Sequence, residues 1–240
     1  MAAPQYALII PALNEAESLK RLLPELPRAR LMEIIVADNG SRDGTAEVAR
    51  AAGARVIAEP RRGYGQACQA GLAALAPSVE AVIFMDGDLS GDLADLDRLL
   101  DMFDSGGWDL IIGSRTLGEA EPGALTPLQR TGNWLTTRLI RWNWGMPYTD
   151  LGPLRVVRRE VLERMKLRDT NFGWNVEMQA KAAALGVRVA EIPVRSRRRK
   201  YGKSKISGTV TGAFRAGVKI LATLAQCWWW SRHEKGLPRA

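Results

Sequence analysis

Residues 81–88 read Ala-Val-Ile-Phe-Met-Asp-Gly-Asp, an apolar run that ends in two carboxylates separated by one glycine. The run is rich in strand-forming side chains and Gly87 follows it closely, which predicts a buried strand that ends in a turn. On an extended backbone, side chains at positions i and i+2 project to the same side. Asp86 and Asp88 can therefore hold one hard divalent cation and leave positions open for phosphate oxygens. An Asp-x-Asp pair alone is weak evidence, because acidic residues are common at strand ends.

The first half of the chain alternates strand and helix patterns around this run. Strands are predicted at 6–11, 33–38, 55–58, 81–85 and 110–113, and helices at 15–26, 45–52, 66–76 and 92–103. This alternation predicts an α/β fold with a mostly parallel central sheet and helices on both faces. Such sheets bind ligands at the carboxyl ends of their strands. The sequence places there Asn14, Asp38, residues 61–65, Asp86 and Asp88.

The second half is less regular. Helices are predicted at 125–142, 171–185 and 208–230, and strands at 151–157 and 187–194. Between the last strand and the last helix, residues 195–205 hold seven Arg or Lys residues and are expected to form a mobile loop. We expect one domain over residues 1–210, followed by a helical tail at 211–240.

Charge and residue usage restrict the classes of function. The 240 residues carry a net charge of +8, which implies an anionic partner such as nucleic acid, an acidic lipid surface or a phosphorylated ligand. Cys68 and Cys227 lie far apart and show no zinc spacing, as in proteins of reducing compartments. Because the one histidine, His233, lies near the C-terminus, histidine triads and histidine metal sites are not expected. Acid–base chemistry would have to use carboxylates or cations.

The sequence predicts a cytoplasmic protein at the inner face of the membrane. The N-terminal apolar run is too short for a signal peptide, and no segment reaches the roughly 20 apolar residues that a membrane span needs. Residues 216–230 end in three tryptophans and are flanked by basic side chains, which suits contact with an anionic membrane surface. Packing of this helix on the core or in a homo-oligomer is an equal alternative.

Two further segments follow strands. Asp38 opens the stretch 38–45 and can accept hydrogen bonds from a base N–H or a ribose hydroxyl. An Asx-type turn leading into a helix is the alternative, and the favoured one when that stretch is taken alone. Residues 61–65 read Arg-Arg-Gly-Tyr-Gly, where Gly63 and Gly65 permit close backbone approach and the arginines match phosphate. The third glycine of a dinucleotide fingerprint is missing, so an NAD site is not expected.

The basic stretch 195–205 has two interpretations. It can be a solvated loop, or it can point back to the strand ends and capture phosphate. Tyr201 is its one aromatic residue, which argues against nucleic-acid binding.

Together the motifs resemble the family 2 glycosyltransferases of GT-A fold. The residues that carry this resemblance are Pro11-Ala12-Leu13-Asn14-Glu15, the stretch 38–45, Asp86-Gly87-Asp88 and Gly113-Ser114-Arg115. The stretches 150–155 and 199–208 are similar to the branch that contains dolichyl- and polyprenyl-phosphate sugar synthases. The resemblance covers roughly residues 5–210, with the motifs in the family's order. The chain departs from many relatives by having no predicted transmembrane helices after this region and no His-Pro-Pro after Asp88.

The resemblance implies a role for each matched residue. The base and ribose of a nucleotide sugar would be bound by Pro11, Asn14, Glu15 and Asp38. Asp86 would lie near the ribose and the metal, and Asp88 would ligate Mg²⁺ or Mn²⁺. Arg115 and Asp150 would face the sugar and the acceptor. A flexible phosphate-binding loop would contain Arg199, Lys203, Ser204 and Lys205.

These roles predict an inverting, metal-dependent enzyme that moves a hexose from a UDP- or GDP-sugar to a polyprenyl phosphate. A phosphate monoester, with a second pKa of about 6, is already ionised at neutral pH and needs positioning by cations. A hydroxyl acceptor would instead need a carboxylate base, and Asp150 is the first candidate. Three alternatives stay open: the same fold acting on a soluble hydroxyl, as in glucosyl-3-phosphoglycerate synthesis, a non-enzymatic basic protein that binds anions, and a nucleotidyltransferase.

Overall fold

A single sheet organises the protein, whose computed structural model describes residues 4–201 and 210–233. The described residues form seven strands: β1 (Tyr6–Ala12), β2 (Leu31–Asp38), β3 (Arg55–Ala58), β4 (Ala81–Phe84), β5 (Leu110–Ser114), β6 (Arg155–Arg158) and β7 (Val189–Pro193). Their order in the sheet is β3-β2-β1-β4-β6-β5-β7. Strand β6 runs antiparallel to both of its neighbours, and the other pairs are parallel. The predicted mostly parallel sheet is therefore confirmed.

Helices cover both faces of the sheet, as predicted. They are α1 (Ala16–Leu22), α2 (Thr45–Ala51), α3 (Tyr64–Ala73), α4 (Leu93–Asp104), α5 (Pro127–Trp144), α6 (Arg159–Met165), α7 (Trp174–Ala184) and α8 (Val210–His233). Short 3₁₀ turns occupy Leu23–Glu25 and Arg28–Arg30. No helix among the described residues combines the length and the apolar character needed to cross a bilayer.

The period of two along β1 divides the core into two layers. Leu8 and Ile10 point to the layer formed with α1, α2 and α4, whereas Ala7 and Ile9 point to the layer formed with α3 and α5–α8. In the second layer Phe84 packs edge-on against Trp174, with ring centroids 5.9 Å apart. Because helices shield both faces, ligands have access to the sheet mainly at its edge, where the strands end.

Several predicted boundaries were wrong for local reasons. The helix predicted at 15–26 ends at Leu22 and continues as a 3₁₀ turn that contains Pro24, because proline lacks the N–H that a further helical turn needs. The strand predicted at 151–157 begins only at Arg155, after Pro153. Helix α6 was not predicted. It has seven residues, and its buried residues include Val161 and Met165, too few to give a clear periodicity.

Candidate active site

A cavity of about 580 Å³ opens at the carboxyl edge of the sheet. Asp86 and Asp88 enter it directly after β4, and Arg115 enters after β5. Arg199 reaches the same cavity from the segment that follows β7. Four of the predicted site residues are thus brought together from segments up to 113 positions apart, 86 to 199. Of these four, the strand-end argument had named Asp86 and Asp88.

Asp88 is buried at the floor of this cavity, with 8% of its surface exposed. Its Oδ1 accepts a hydrogen bond from the Ser90 N–H at 3.0 Å. Its Oδ2 accepts two from the Arg199 guanidinium, at 3.1 Å from Nε and 2.8 Å from Nη2. The turn between the carboxylates requires Gly87, because an added Cβ would lie 2.9 Å from Ile10. The carboxylate is therefore fixed and already faces a cation.

Asp86 lies beside Asp88 and has a different partner. The Tyr64 hydroxyl donates to its Oδ1 at 3.1 Å. Burial, and next the neighbouring Asp88 charge, raise the pKa of Asp86 to about 6. Burial and Asp86 also raise the pKa of Tyr64 well above its usual value, so the phenol stays protonated and donates. Tyr64 was not assigned a role from the sequence, where the arginines and glycines around it carried the stronger pattern.

Arg199 joins two acidic side chains that are distant in sequence. Besides its bonds to Asp88, its Nη1 lies 2.9 Å from Glu15 Oε1, just before α1. Hydrogen bonding to carboxylates of both residues places one guanidinium where a divalent cation would find oxygen ligands. The contact also brings Glu15, predicted to bind the nucleotide, next to the Asp86–Asp88 pair.

The neighbouring arginines are held by acidic residues as well. We name residues 195–199 the basic strap. Within it the Arg195 N–H donates to Asp95 Oδ2 at 2.7 Å, and Arg197 Nη2 lies 2.5 Å from Asp92 Oδ2. These contacts place the strap beside the cavity, which it lines, and the mobility of the loop at 195–205 stays a prediction. Three other residues of the predicted phosphate-binding loop, Lys203, Ser204 and Lys205, lie outside the described residues.

Predicted nucleotide-binding residues lie at the ends of β1 and β2, outside the lining of the cavity. Asn14 has a left-handed φ of 52°, and its Oδ1 accepts the Arg42 N–H at 2.9 Å. Asp38 Oδ1 accepts the Ser41 N–H at 3.0 Å, so the alternative Asx-type turn is present. Pro11 is the penultimate residue of β1, paired in register with Ala37 of β2. These contacts fix the backbone at residues 11–14 and 38–42, which we name the shelf.

Asn39 fastens this shelf to the glycine-containing turn at 61–65. Its Nδ2 donates to the carbonyls of Glu59 and Arg61, at 2.9 and 2.7 Å, and its Oδ1 accepts the Gly63 N–H at 2.8 Å. The sequence pattern singled out Gly63 but not Asn39. Its position directly after a strand, in Asp-Asn-Gly, was the available signal.

Asp150 and Arg115 form a closed pair at the far side of the cavity. Asp150 Oδ2 accepts the Arg115 backbone N–H at 2.8 Å and its Nε at 2.7 Å, and Oδ1 accepts Nη2 at 2.9 Å. The Leu151 N–H adds a further bond to Oδ1 at 2.8 Å. With 1% of Asp150 exposed, this geometry suits a carboxylate that orients Arg115 better than one that accepts a proton from a substrate.

A second cavity of about 740 Å³ shares Arg115 with the first and also contains Asp150. Helix α5 lines it with Arg130, Arg138 and Arg141. A cleft with this many cations suits a ligand that carries phosphate.

Asp86→Asn is expected to raise the melting temperature of the metal-free protein at about pH 8 and to leave it unchanged near pH 4. Burial raises the pKa of Asp86 from 3.8 to about 6, so the folded chain holds this proton more tightly than the unfolded chain. The resulting stabilisation is complete below about pH 4, declines up to pH 6 and is absent above it. Asparagine imitates the neutral acid at every pH.

Melting curves between about pH 4 and 8 test this, with Asp97→Asn as control because the Asp97 side chain is 51% exposed on α4. An equal change in melting temperature at both ends of the pH range would contradict the expectation.

Comparison with known proteins identifies the family of the chain. The model of the family described as Glycosyl transferase family 2 matches residues 7–166. An uncharacterised glycosyltransferase of Mycobacterium tuberculosis is 38% identical over 214 residues, covering 89% of this chain and 94% of the relative. Polyprenol monophosphomannose synthase of Mycolicibacterium smegmatis is 33% identical over 227 residues, covering 84% of this chain and 81% of the relative.

A solved structure supports the fold. Glucosyl-3-phosphoglycerate synthase of Mycobacterium tuberculosis, in complex with Mn²⁺, UDP and glucosyl-3-phosphoglycerate, matches with a TM-score of 0.74 at 21% identity, over 99% of this chain and 82% of that one. At this identity the likeness shows the fold, and the predicted GT-A architecture is confirmed. The predicted enzyme class is confirmed by the family. The chain therefore belongs to glycosyl transferase family 2 and is a nucleotide-sugar-dependent glycosyltransferase.

Proposed function

We propose that this enzyme transfers a hexose, with inversion, from a UDP- or GDP-sugar to a polyprenyl phosphate. The observation that carries the proposal is the closed pair of Asp150 and Arg115, in which both carboxylate oxygens are bonded. A hydroxyl acceptor must lose its proton as it attacks and needs a base for that step. A phosphate monoester, with a second pKa of about 6, is already ionised at neutral pH.

The other carboxylates around the two cavities are engaged as well. Among the residues that the structure describes there, Asp92 pairs with Arg197 at 2.5 Å and Asp95 with Arg98 at 2.8 Å. Asp86 accepts from Tyr64 and Asp88 from Arg199, and both line the proposed cation site. The arrangement thus offers cations to position an acceptor rather than a base to activate one.

The Asp86–Asp88 pair fits Mg²⁺ or Mn²⁺. Both residues supply hard oxygen ligands, and the ion pair between Arg199 and Asp88 supports a cation-binding role for this carboxylate. No cluster of three or more potential ligands, counting His, Cys, Asp and Glu, occurs within the described residues. Oxygens of the donor pyrophosphate would complete the coordination, as is common for Mg²⁺ sites. When bound, the metal would offset negative charge that develops on the leaving nucleoside diphosphate.

Two helices support contact with an anionic membrane surface. Helix α5 exposes Leu128, Trp134 and Trp142, to 58%, 57% and 84%, beside the arginines of the second cavity. Aromatic and cationic side chains on one exposed helix suit the interface between headgroups and acyl chains. Because the basic cleft adjoins this surface, a lipid that carries its phosphate at the interface can reach Arg115.

The two interpretations of the C-terminal helix apply to different residues of α8. Leu224 and Cys227 are buried against the core, and Trp230 lies over Lys181, with Nζ 4.8 Å from the ring centroid. Trp228 and Trp229 are exposed. Helix α8 thus packs on the domain with one face and presents tryptophans on another, which supports a peripheral location at a membrane surface.

A panel of acceptors tests the proposed function. With UDP- and GDP-hexoses and Mg²⁺ or Mn²⁺, we expect transfer to polyprenyl phosphate in detergent micelles. Transfer to polyprenol, which has the same chain but a hydroxyl end, and to 3-phosphoglycerate should be at least about a hundredfold slower, because the carboxylates described around the two cavities are already engaged and a hydroxyl needs a base. Comparable kcat/KM values with either hydroxyl acceptor would overturn the proposal and favour the soluble-acceptor alternative.

A further inference from the structure

The backbone on both sides of Tyr64 packs closely against another segment of the chain. Tyr64 begins α3, between two glycines that touch another segment of backbone. A Cβ at Gly63 would lie 2.1 Å from the Thr170 carbonyl oxygen, and a Cβ at Gly65 would lie 2.1 Å from that of Asp169. Such distances exclude any side chain at either position unless the backbone moves. The start of α3 therefore fits closely against residues 169–170.

Hydrogen bonds hold this contact together. The Gln66 N–H donates to the Thr170 carbonyl at 3.0 Å. Asp169 is fixed in turn by the C-terminal helix, since its Oδ2 lies 2.8 Å from Lys219 Nζ and 3.1 Å from Thr223 Oγ1. The start of α3, with Tyr64, is thus connected through residues 169–170 to α8. This contact fixes the position from which the phenol reaches Asp86.

The phenol ends at one oxygen of Asp86. The Tyr64 hydroxyl lies 3.1 Å from Oδ1, so a donor with a fixed backbone restrains the rotation of the Asp86 carboxylate. Asp88 is fixed in a similar way, because its Oδ1 accepts the Ser90 N–H while Oδ2 faces the Arg199 cation. Each carboxylate thus has one oxygen that accepts from an uncharged donor, Tyr64 or Ser90, and the other oxygen of Asp88 accepts from the Arg199 cation.

We propose that Tyr64 is a positioning residue that orients Asp86 as a ligand for the divalent cation and the donor nucleotide. This inference rests on the proposed metal-dependent function, and it adds a residue outside the Asp86–Asp88 pair on which the affinity of the site depends. Groups that hydrogen-bond to metal ligands commonly change metal affinity or activity by about 10–100-fold when they are removed. A tyrosine that served packing alone would leave metal affinity unchanged when its hydroxyl is deleted.

The test compares Tyr64→Phe with Tyr6→Phe. Both changes remove one hydroxyl that donates to a carboxylate, since Tyr6 donates to Asp104 Oδ1 at 2.5 Å from the opposite end of β1. Mn²⁺ affinity is measured by electron paramagnetic resonance of free Mn²⁺, with UDP or GDP present. We expect the dissociation constant to rise about tenfold in Tyr64→Phe and to stay within twofold of the wild type in Tyr6→Phe.

The outcomes separate this inference from the proposed function. If the wild type binds no Mn²⁺ with either nucleotide, the metal-dependent function fails and the inference fails with it. If the wild type binds Mn²⁺ and Tyr64→Phe binds it equally well, the inference alone is overturned. A double variant distinguishes a specific effect on Asp86 from a general loss of structure. In an Asp86→Asn background, Tyr64→Phe should change the residual Mn²⁺ affinity by less than about twofold, because the two residues act as a unit. A further tenfold loss there would count against the inference.

Discussion

Asp88→Asn is expected to lower kcat/KM for sugar transfer by roughly a thousandfold. The cation at this carboxylate would offset charge on the leaving group, a contribution of several kcal/mol, and each 1.4 kcal/mol or so corresponds to a factor of about ten. Asparagine keeps the shape of the side chain and its bond from the Ser90 N–H but lacks the charge. The rate with saturating Mn²⁺ and its dependence on Mn²⁺ concentration give the result.

Asp97→Asn again serves as control, because Asp97 lies on α4 with an exposed side chain outside both cavities. Melting curves of both variants separate catalysis from folding. An Asp88→Asn variant that retains activity within tenfold of the wild type would show that this carboxylate is not the principal ligand.

The second large effect is expected at the closed pair of Arg115 and Asp150. Arg115→Met should lower kcat/KM by about a hundredfold, because a hydrogen bond to a charged group is worth about 1.5–3 kcal/mol. It should also destabilise the fold by about 3–5 kcal/mol, since it leaves the buried Asp150 carboxylate without its cation. The double variant Arg115→Met/Asp150→Asn should recover part of this stability and be no slower than Arg115→Met alone.

The double variant distinguishes a phosphate acceptor from a hydroxyl acceptor, because the two proposals predict different combined effects on kcat/KM. If Asp150 acts only by orienting Arg115, its removal has no further effect once Arg115 is absent. If Asp150 were the base for a hydroxyl, the two losses would multiply. The matched control is Arg188→Met/Asp109→Asn, a pair with the same two-point contact, at 3.0 and 2.6 Å, that lies outside both cavities and whose arginine is exposed. If the losses of kcat/KM in the two single variants multiply in the Arg115–Asp150 double variant, the proposal of a phosphate acceptor is overturned.

Local patterns were sufficient to predict the strand ends. The apolar runs before Asp38 and Asp86 have the composition of buried strands, and the alternation with helices implies that their ends share one edge of the sheet. The parallel pairing of β2 and β4 with β1 confirms that the two strands end at one edge, and the cavity at this edge includes Asp86 but not Asp38. The roles of these residues stay predictions.

Contacts between distant segments were not predictable in the same way. The bond from Arg199 to Asp88 joins residues 111 positions apart, and no local pattern states which carboxylate a basic loop will meet. The Tyr64–Asp86 bond depends on backbone approach at Gly63 and Gly65, which the sequence shows only as two glycines. The reversal of β6 likewise escaped prediction, since the direction of a strand is set by its partners and not by its composition.

Because β6 runs in the opposite direction, two stretches of chain reach the edge of the sheet in different ways. Strands β1–β4 arrive at the catalytic edge by their carboxyl ends and place the shelf and the Asp86–Asp88 pair there. Strand β6 begins at this edge, so the turn that carries Asp150 is reached before the strand and not after it. The shelf and the Asp86–Asp88 pair thus come from the first 88 residues, and Asp150 comes from the later stretch. Arg199 joins the two stretches, because its guanidinium bonds to Glu15 and Asp88 of the earlier one.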